Sequence, residues 1–282
     1  MTDETPDALM ARMRPRLHRY CARMVGSAFD GEDVVQEALA RAAAAYGPDV
    51  TQPERWLMRI AHNAALDALR RRRRQAERHA EAEMETIPDP ASSADARIAA
   101  EASLAAFLAL PPLPRSMVIF ADVLGDALAE STELLGVTEA AGKAALHRGR
   151  AALRQHAHDA APAQPFSQAE RARLRDYADR FNARDFDALR ALLAEDVRLN
   201  LANRTRLEGR ASVSVYFGRY GTRTDYRLSL CRAEGQLCLL IEDDEAGDYV
   251  VRLGWRDGEI VAIDDYRYAP YVAEALEVER LD

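Results

Sequence analysis

Near Phe166 the spacing of apolar side chains changes from a period close to 3.6 to a period of 2. Upstream, apolar residues recur at helical spacing, with little strand signal. Downstream, one more amphipathic helix carries Leu174, Tyr177, Ala178 and Phe181 at i, i+3, i+4, i+7, and a short helix follows Asp185. Alternating runs then take over: Val197, Leu199, Leu201, and later Tyr226, Leu228, Leu230. A helical stripe and a pleated face bury their apolar side chains differently, so the chain needs at least two separately built bodies. At 282 residues it is long enough for two or three.

Four sections follow. Residues 8–78 read as helices; 79–98 as an acidic, proline-bearing linker; 99–156 as helices again; and 166–282 as an α+β domain with a curved antiparallel sheet. Further strands are expected over 237–242, 248–255 and 259–267, with turn signals at Glu234-Gly235 and Asp257-Gly258. Cys21, Cys231 and Cys238 show no CxxC or CxxxC spacing, so neither a disulfide scaffold nor a metal site is expected, and no cofactor is implied. No apolar run approaches the roughly 20 residues of a membrane span. The first ten residues lack the pattern of a secretory leader, and the chain is read as cytoplasmic.

Net charge is −8, which argues against a general nucleic-acid coat, but its distribution is uneven. Arg55 to Arg74 holds seven arginines against one acid, Asp67, and Lys143 to Arg154 holds four basic side chains and no acid. Either segment alone reads equally as a solvated helix face. Two of them in an acidic background fit DNA contact at two places.

From Pro53 to Arg74 a helical projection puts Leu57, Ile60, Ala61, Ala64 and Ala68 on one side. Arg55, Arg59, His62, Asn63 and Arg70 fall opposite, with Arg71 extending the charge. Arginine suits phosphate, and Asn and His suit base edges. The second segment reads as a helix-turn-helix. Leu128–Leu135 is its first helix, Gly136-Val137 the turn, and Thr138 the N-cap of a recognition helix reaching Gln155. Lys143, His147, Arg148 and Arg150 would face DNA. Gly142, inside that helix, costs about 1 kcal/mol against alanine and weakens the reading.

Asp30-Gly-Glu-Asp-Val-Val-Gln-Glu37 resembles a block of sigma region 2, and Glu54 to Arg74 resembles the segment that follows it. Leu110–Phe120 and Leu134–Arg150 resemble sigma region 4. In order and spacing these blocks are similar to extracytoplasmic-function sigma factors of the sigma-70 family. The resemblance implies two all-α domains, region 2 and a region 4 helix-turn-helix. Asp33, Gln36 and Glu37 would dock on the clamp of the largest subunit of core RNA polymerase. The loop Gly47–Glu54, with Arg59 and Asn63, would engage the −10 element and hold an unstacked base, and Lys143 and His147 would read the −35 element. Trp56 is a family signature that reads more readily as a core anchor between helices.

Residues 166–282 resemble the SnoaL-like, nuclear-transport-factor-2-like fold, through Tyr177–Leu199, Trp255-Arg-Asp-Gly258 and Asp265–Tyr271. That implies an α+β cone, often with a pocket. Tyr216, Phe217, Tyr220, Tyr266, Tyr268 and Tyr271 are candidate pocket residues, and core and sheet packing explains them more readily. Enzymes of this fold use Asp or His as base. All six histidines lie at or before His158, which leaves Asp196, Asp264, Asp265 and tyrosines such as Tyr266 and Tyr268; the three carboxylates each have a structural explanation at a strand entry or end, and no catalytic residue is assigned. Ordinary members of the sigma family are held by a separate anti-sigma protein. None is identified for this chain, and the fused domain is expected to regulate the two DNA-binding domains instead. Two other readings stay open: a ligand-sensing helix-turn-helix regulator, and an isomerase or hydrolase.

Overall fold

The computed structural model describes residues 4–77, 99, 102–156, 165–218, 220–221, 226–245 and 247–281. The expected linker over 79–98 lies outside them. The chain divides into two compact units, Met1–Ala161 and Pro162–Asp282.

The first unit is helical. α1 (Pro6–Val25) starts where Thr5 Oγ1 accepts from Ala8 N at 3.3 Å, and it ends at Gly26. α2 (Ala28–Ala45) is capped by Ser27, whose Oγ accepts from Asp30 N at 3.2 Å. α3 spans Pro53–Glu77. Beyond the undescribed stretch come a 3₁₀ turn (Leu104–Ala109) and α4 (Pro112–Val118), which runs into a π turn (Ile119–Val123). α5 (Leu128–Leu135) and α6 (Glu139–His156) follow.

Helices from both sides of that stretch share one hydrophobic core, which includes Leu17, Tyr20, Leu57, Phe107, Phe120 and Leu153. The Tyr20 and Phe120 rings lie 4.7 Å apart. Tyr20 also carries polar traffic: its hydroxyl lies 2.7 Å from His62 Nδ1 and donates to Ser116 Oγ at 3.1 Å. Arg115 is buried, and its guanidinium donates to Leu110 O at 2.7 Å, to Leu108 O at 3.1 Å and to Met24 O. Three carbonyls hold the cation in place, while burial lowers its pKa to about 10.

The second unit is α+β. Ser167 and Glu170 form a capping box at the start of α7 (Gln168–Asn182), and Asp185 caps α8 (Phe186–Ala191). The strands are β1 (Leu193–Leu201), β2 (Thr205–Glu208), β3 (Tyr226–Ala233), β4 (Gln236–Asp243), β5 (Tyr249–Arg256), β6 (Glu259–Asp265) and β7 (Val278–Leu281). α9 (Arg210–Gly218) separates β2 from β3, and α10 (Pro270–Ala273) precedes β7. The sheet order is β2-β1-β6-β5-β4-β3-β7. Two-residue turns at Glu234-Gly235 and Asp257-Gly258, all four residues at positive φ, close two hairpins as the turn chemistry predicts.

The sheet is not wholly antiparallel, because β1 pairs with β6 in parallel. The crossover through α9 and the three turns of the β3–β6 meander bring β6 back beside β1 in the same direction. α7 packs on β3 and β4, and α9 on β1. Asn182, at the end of α7, serves both backbone groups of Leu228 at 2.9 Å, on the stretch of β3 that β7 leaves unpaired. Phe181, Phe217, Tyr220, Tyr226 and Ile263 fill the space between helices and sheet.

Candidate nucleic-acid interface

α3 presents its arginines unevenly. Arg59, Asn63 and Arg70 are exposed. Arg55 is half-buried; its Nη2 lies 2.7 Å from Glu133 on α5, and its Nη1 donates to Gln52 at 3.2 Å. Arg70 lies 3.3 Å from Asp67. Arg71 turns back to α2 and meets Glu37 at 2.8 Å, while Arg72 reaches Asp30 and the carbonyl of Val25.

His62 leaves the exposed face that a one-sided projection gives it. Half-buried and bonded to Tyr20, it is pushed down to about 4 by burial, with Arg70 adding to the shift. It is therefore neutral at pH 7 and faces the interior of the unit.

Residues 49–52, with Ala45, Arg55, Trp56, Arg59 and Glu133, line a recess of about 440 Å³. Trp56 is half-buried and meets Tyr46 edge to face, with ring centroids 5.7 Å apart. It thus serves both as a packing anchor and as one wall of the recess. On α2, Asp33 is exposed, Gln36 donates to Glu32 at 3.2 Å, and Glu37 is shared by Arg41 and Arg71. Glu32 is fully buried, and Arg14 meets it at 2.5 Å.

The helix-turn-helix geometry is sharply formed. Gly136 ends α5 in the left-handed region at φ 68°. Thr138 Oγ1 accepts from Ala141 N at 3.2 Å and so caps α6. At Gly142 α6 lies hard against α5: a Cβ there would lie 2.2 Å from Thr132 Cγ2. The glycine that looks like a flaw in the recognition helix is what lets α5 and α6 touch. Gly149 does the same toward α4, where a Cβ would lie 2.8 Å from Pro114 O.

Lys143 and Arg148 are exposed and His147 is half-buried. Arg150 turns inward, binding both oxygens of Asp122 at 2.9 and 2.5 Å, and the Asp122 side chain is 2% exposed. Its fork is committed to holding α6 against the π turn, so it does not stand with Lys143 and Arg148.

In the second unit, hydroxyls gather on Asp265. Tyr216 donates to its Oδ2 at 2.7 Å and Tyr220 at 3.2 Å, while Arg267 N donates to Oδ1 at 2.8 Å. Tyr249 extends the chain to Tyr220 at 3.1 Å. Burial raises the pKa of Asp265, and the three donors only partly counter that. Tyr216 and Tyr220 are among the tyrosines named from sequence; Tyr249 is the member of this cluster that the sequence missed.

Of the other tyrosines named from sequence, Tyr266 is buried and Tyr268 lies under the guanidinium of Arg204 at 4.9 Å. Asp196 forms an exposed pair with Arg256, and Asp264 meets Arg252 at 3.0 Å. A recess of about 460 Å³ opens instead at Phe166, Arg173, Leu237, Leu253 and Trp255. Cys231 and Cys238 face each other across β3 and β4, both buried, and burial pushes both thiols up to about 12. Among the described residues, no group of His, Cys, Asp and Glu could hold a metal ion, and no helix is long and apolar enough to cross a membrane.

Comparison with known proteins places the first unit. The sigma-70 region 2 model matches residues 9–75. The ECF RNA polymerase sigma factor SigM of Mycobacterium tuberculosis is 32% identical over 153 residues, which are 52% of this chain and 74% of SigM. The ECF sigma factor SigG of the same organism is 34% identical over 208 residues, 62% of this chain and 55% of SigG. The chain thus spans little more than half the length of some of its curated relatives. Among solved structures, the M. tuberculosis extracytoplasmic function sigma factor SigJ aligns over 90% of this chain and 93% of its own, at 21% identity and a TM-score of 0.37. On the match to SigM, the chain belongs to the family of ECF RNA polymerase sigma factors.

Proposed function

We propose that this protein is a promoter-specificity subunit of RNA polymerase that acts in the cytoplasm. Residues 8–78 serve as region 2, 79–98 as a linker, 99–156 as region 4 and 166–282 as a regulatory domain. The observation that carries the reading is the pairing, within one unit, of an exposed Arg59/Asn63 face beside the Trp56 recess with a capped helix-turn-helix exposing Lys143 and Arg148. A simple repressor has no use for the first of these.

In this reading, phosphates meet Arg55, Arg59 and Arg70, base edges meet Asn63, and an unstacked base enters the recess. Lys143, His147 and Arg148 meet the −35 duplex as α6 enters the major groove. Asp33, Gln36 and Glu37 dock on the clamp of core polymerase, and Arg71 releases Glu37 when they do. Arg150 and His62 support the fold rather than touch DNA.

We read the C-terminal unit as a non-catalytic regulator. The Asp265 carboxylate is already engaged by two hydroxyls and an amide, which leaves it poorly placed to act as a base. Tethered to the sigma regions, the unit acts on them at high effective concentration.

The decisive experiment mixes the purified chain with core polymerase on the promoter upstream of its own gene. Promoter-specific initiation is expected. Its absence, with core shown active by another sigma factor, overturns the reading. A chain ending at Gln164 should change that activity severalfold; unchanged activity removes the regulatory role of the C-terminal unit.

A further inference from the structure

The cationic edge of α3 does not face solvent along its whole length. α5 and the turn before it bring three acids, Asp126, Glu130 and Glu133, up to the arginines of α1 and α3. Glu133 Oε2 lies 2.7 Å from Arg55 Nη2, and Asp126 pairs with Arg16. Glu130 lines a recess of about 490 Å³ together with Arg12, Arg16 and Arg55. Glu133 also forms one side of the Trp56 recess, opposite Arg59.

We propose that Asp126 and Glu133 act as an internal stand-in for nucleic-acid phosphate, occupying Arg16 and Arg55 so that the chain on its own binds DNA weakly. This inference rests on the reading of α3 as a DNA-contacting helix. It adds a competitor built into the neighbouring DNA-binding helix pair, separate from any action of the C-terminal unit.

Three observations favour substitution over simple bracing. First, Glu133 engages only one arm of the Arg55 fork: Nη2 lies 2.7 Å from its Oε2, while the neighbouring Nε is buried and makes no hydrogen bond. A planar guanidinium prefers two parallel bonds to one anion, which a phosphate can offer and this carboxylate does not. Second, the Glu133 side chain is 69% exposed, so the pair adds little to stability and separates at little cost. Third, the neighbouring cations hold Glu133 below the usual carboxylate range, with the Arg55 guanidinium first and Arg59 adding to it, so the competitor stays charged.

The displacement is reciprocal. DNA that reaches Arg55 must expel Glu133, and Glu133 on Arg55 opposes DNA by the same free energy.

The test uses the full chain and a labelled single-stranded 20-mer of mixed sequence, read by fluorescence anisotropy across a salt series. Glu133→Gln with Asp126→Asn should tighten binding about five- to tenfold. It should also steepen the slope of log affinity on log salt by roughly 0.7 for each arginine released to a phosphate. Glu274→Gln with Glu277→Gln, which removes the same net charge at exposed sites of the second unit, should change affinity less than about twofold. Adding Arg55→Ala to the first pair should erase most of the gain.

Equal gains from both double variants, or no gain from the first, would overturn the proposal. Circular dichroism on each variant separates misfolding from a true negative. Failure of the sigma-factor reading looks different: the DNA affinities could shift as expected while no variant initiates transcription with core polymerase.

Discussion

Gly142 lies against Thr132 so closely that a β-carbon on it would meet Thr132 Cγ2 at 2.2 Å. Thr132 has little freedom to yield, because it is 2% exposed and its hydroxyl donates to Leu128 O and Ala129 O at 3.0 Å. Gly142→Ala should therefore destabilise the first unit by about 1 to 3 kcal/mol in urea unfolding, although helix propensity alone favours alanine by about 1 kcal/mol. Adding Thr132→Ser, which removes the clashing methyl and keeps the hydroxyl, should recover most of the loss. A stabilised Gly142→Ala protein would mean the helices can part without cost.

Arg59 and Arg150 look alike in sequence and should behave oppositely. Arg150→Ala strands Asp122, whose side chain is 2% exposed. It should lower stability by about 2 to 4 kcal/mol. Arg59→Ala and Asn63→Ala remove exposed side chains and should leave unfolding within about 0.5 kcal/mol. In return both should weaken single-stranded DNA binding, and Arg59→Ala alone should flatten its salt dependence. Thermal melts and anisotropy on the same samples make the comparison.

His62 gives the first unit a pH dependence of definite sign. Its pKa is lowered from 6.5 to about 4 in the folded chain. The unfolded chain therefore takes up the proton first, and stability falls as pH drops below about 6.5 toward 4. The slope from this group approaches about 1.4 kcal/mol per pH unit within that window. His18, also lowered by burial, acts in the same direction. His62→Gln keeps a partner for Tyr20 but cannot titrate, so its stability curve should be flatter between pH 6.5 and 4.5. Parallel curves would place His62 in solvent.

Asp265 works the other way. Burial raises its pKa, so the folded second unit holds a proton that the unfolded chain gives up, and stability is lost as pH rises from the ordinary carboxylate value through the raised one. Tyr216→Phe removes the 2.7 Å donor to the carboxylate. The variant should be destabilised by about 1 to 2 kcal/mol at pH 7 and by less at a pH well below the ordinary value of 3.8, where the carboxyl is neutral in both states. A penalty that does not change with pH would mean the hydroxyl serves packing alone.

Much of the architecture could be read before the structure, because its signals are local. Gly136 and Thr138 mark the turn between α5 and α6 by conformation and capping, and the Gly-containing pairs mark both hairpins. What escaped is what depends on distant residues. The π-turn partner of Arg150 lies 28 residues away, and the tyrosines on Asp265 lie 49 and 45 residues away. The parallel pairing of β1 and β6 depends on a crossover that no period-two pattern reveals. His62 was misplaced because a one-sided projection assumes a single covered face. α3 instead packs against α1 and α2, and His62 points back to Tyr20, which also reaches Ser116 on α4. Gly142 was legible as an oddity, but only Thr132 explains it.

The core that runs unbroken through both halves of the first unit, with Tyr20 against Phe120, makes separation of those halves a wetting problem. Any event that parts α1–α3 from α4–α6 brings water onto Tyr20, Phe120 and their neighbours and leaves Arg115 without the Met24 carbonyl. Opened in bulk solvent, the unit would be sticky and short-lived. Opened against another surface able to cover the same rings, it could persist, so a partner that spreads the two halves must also shelter what it uncovers.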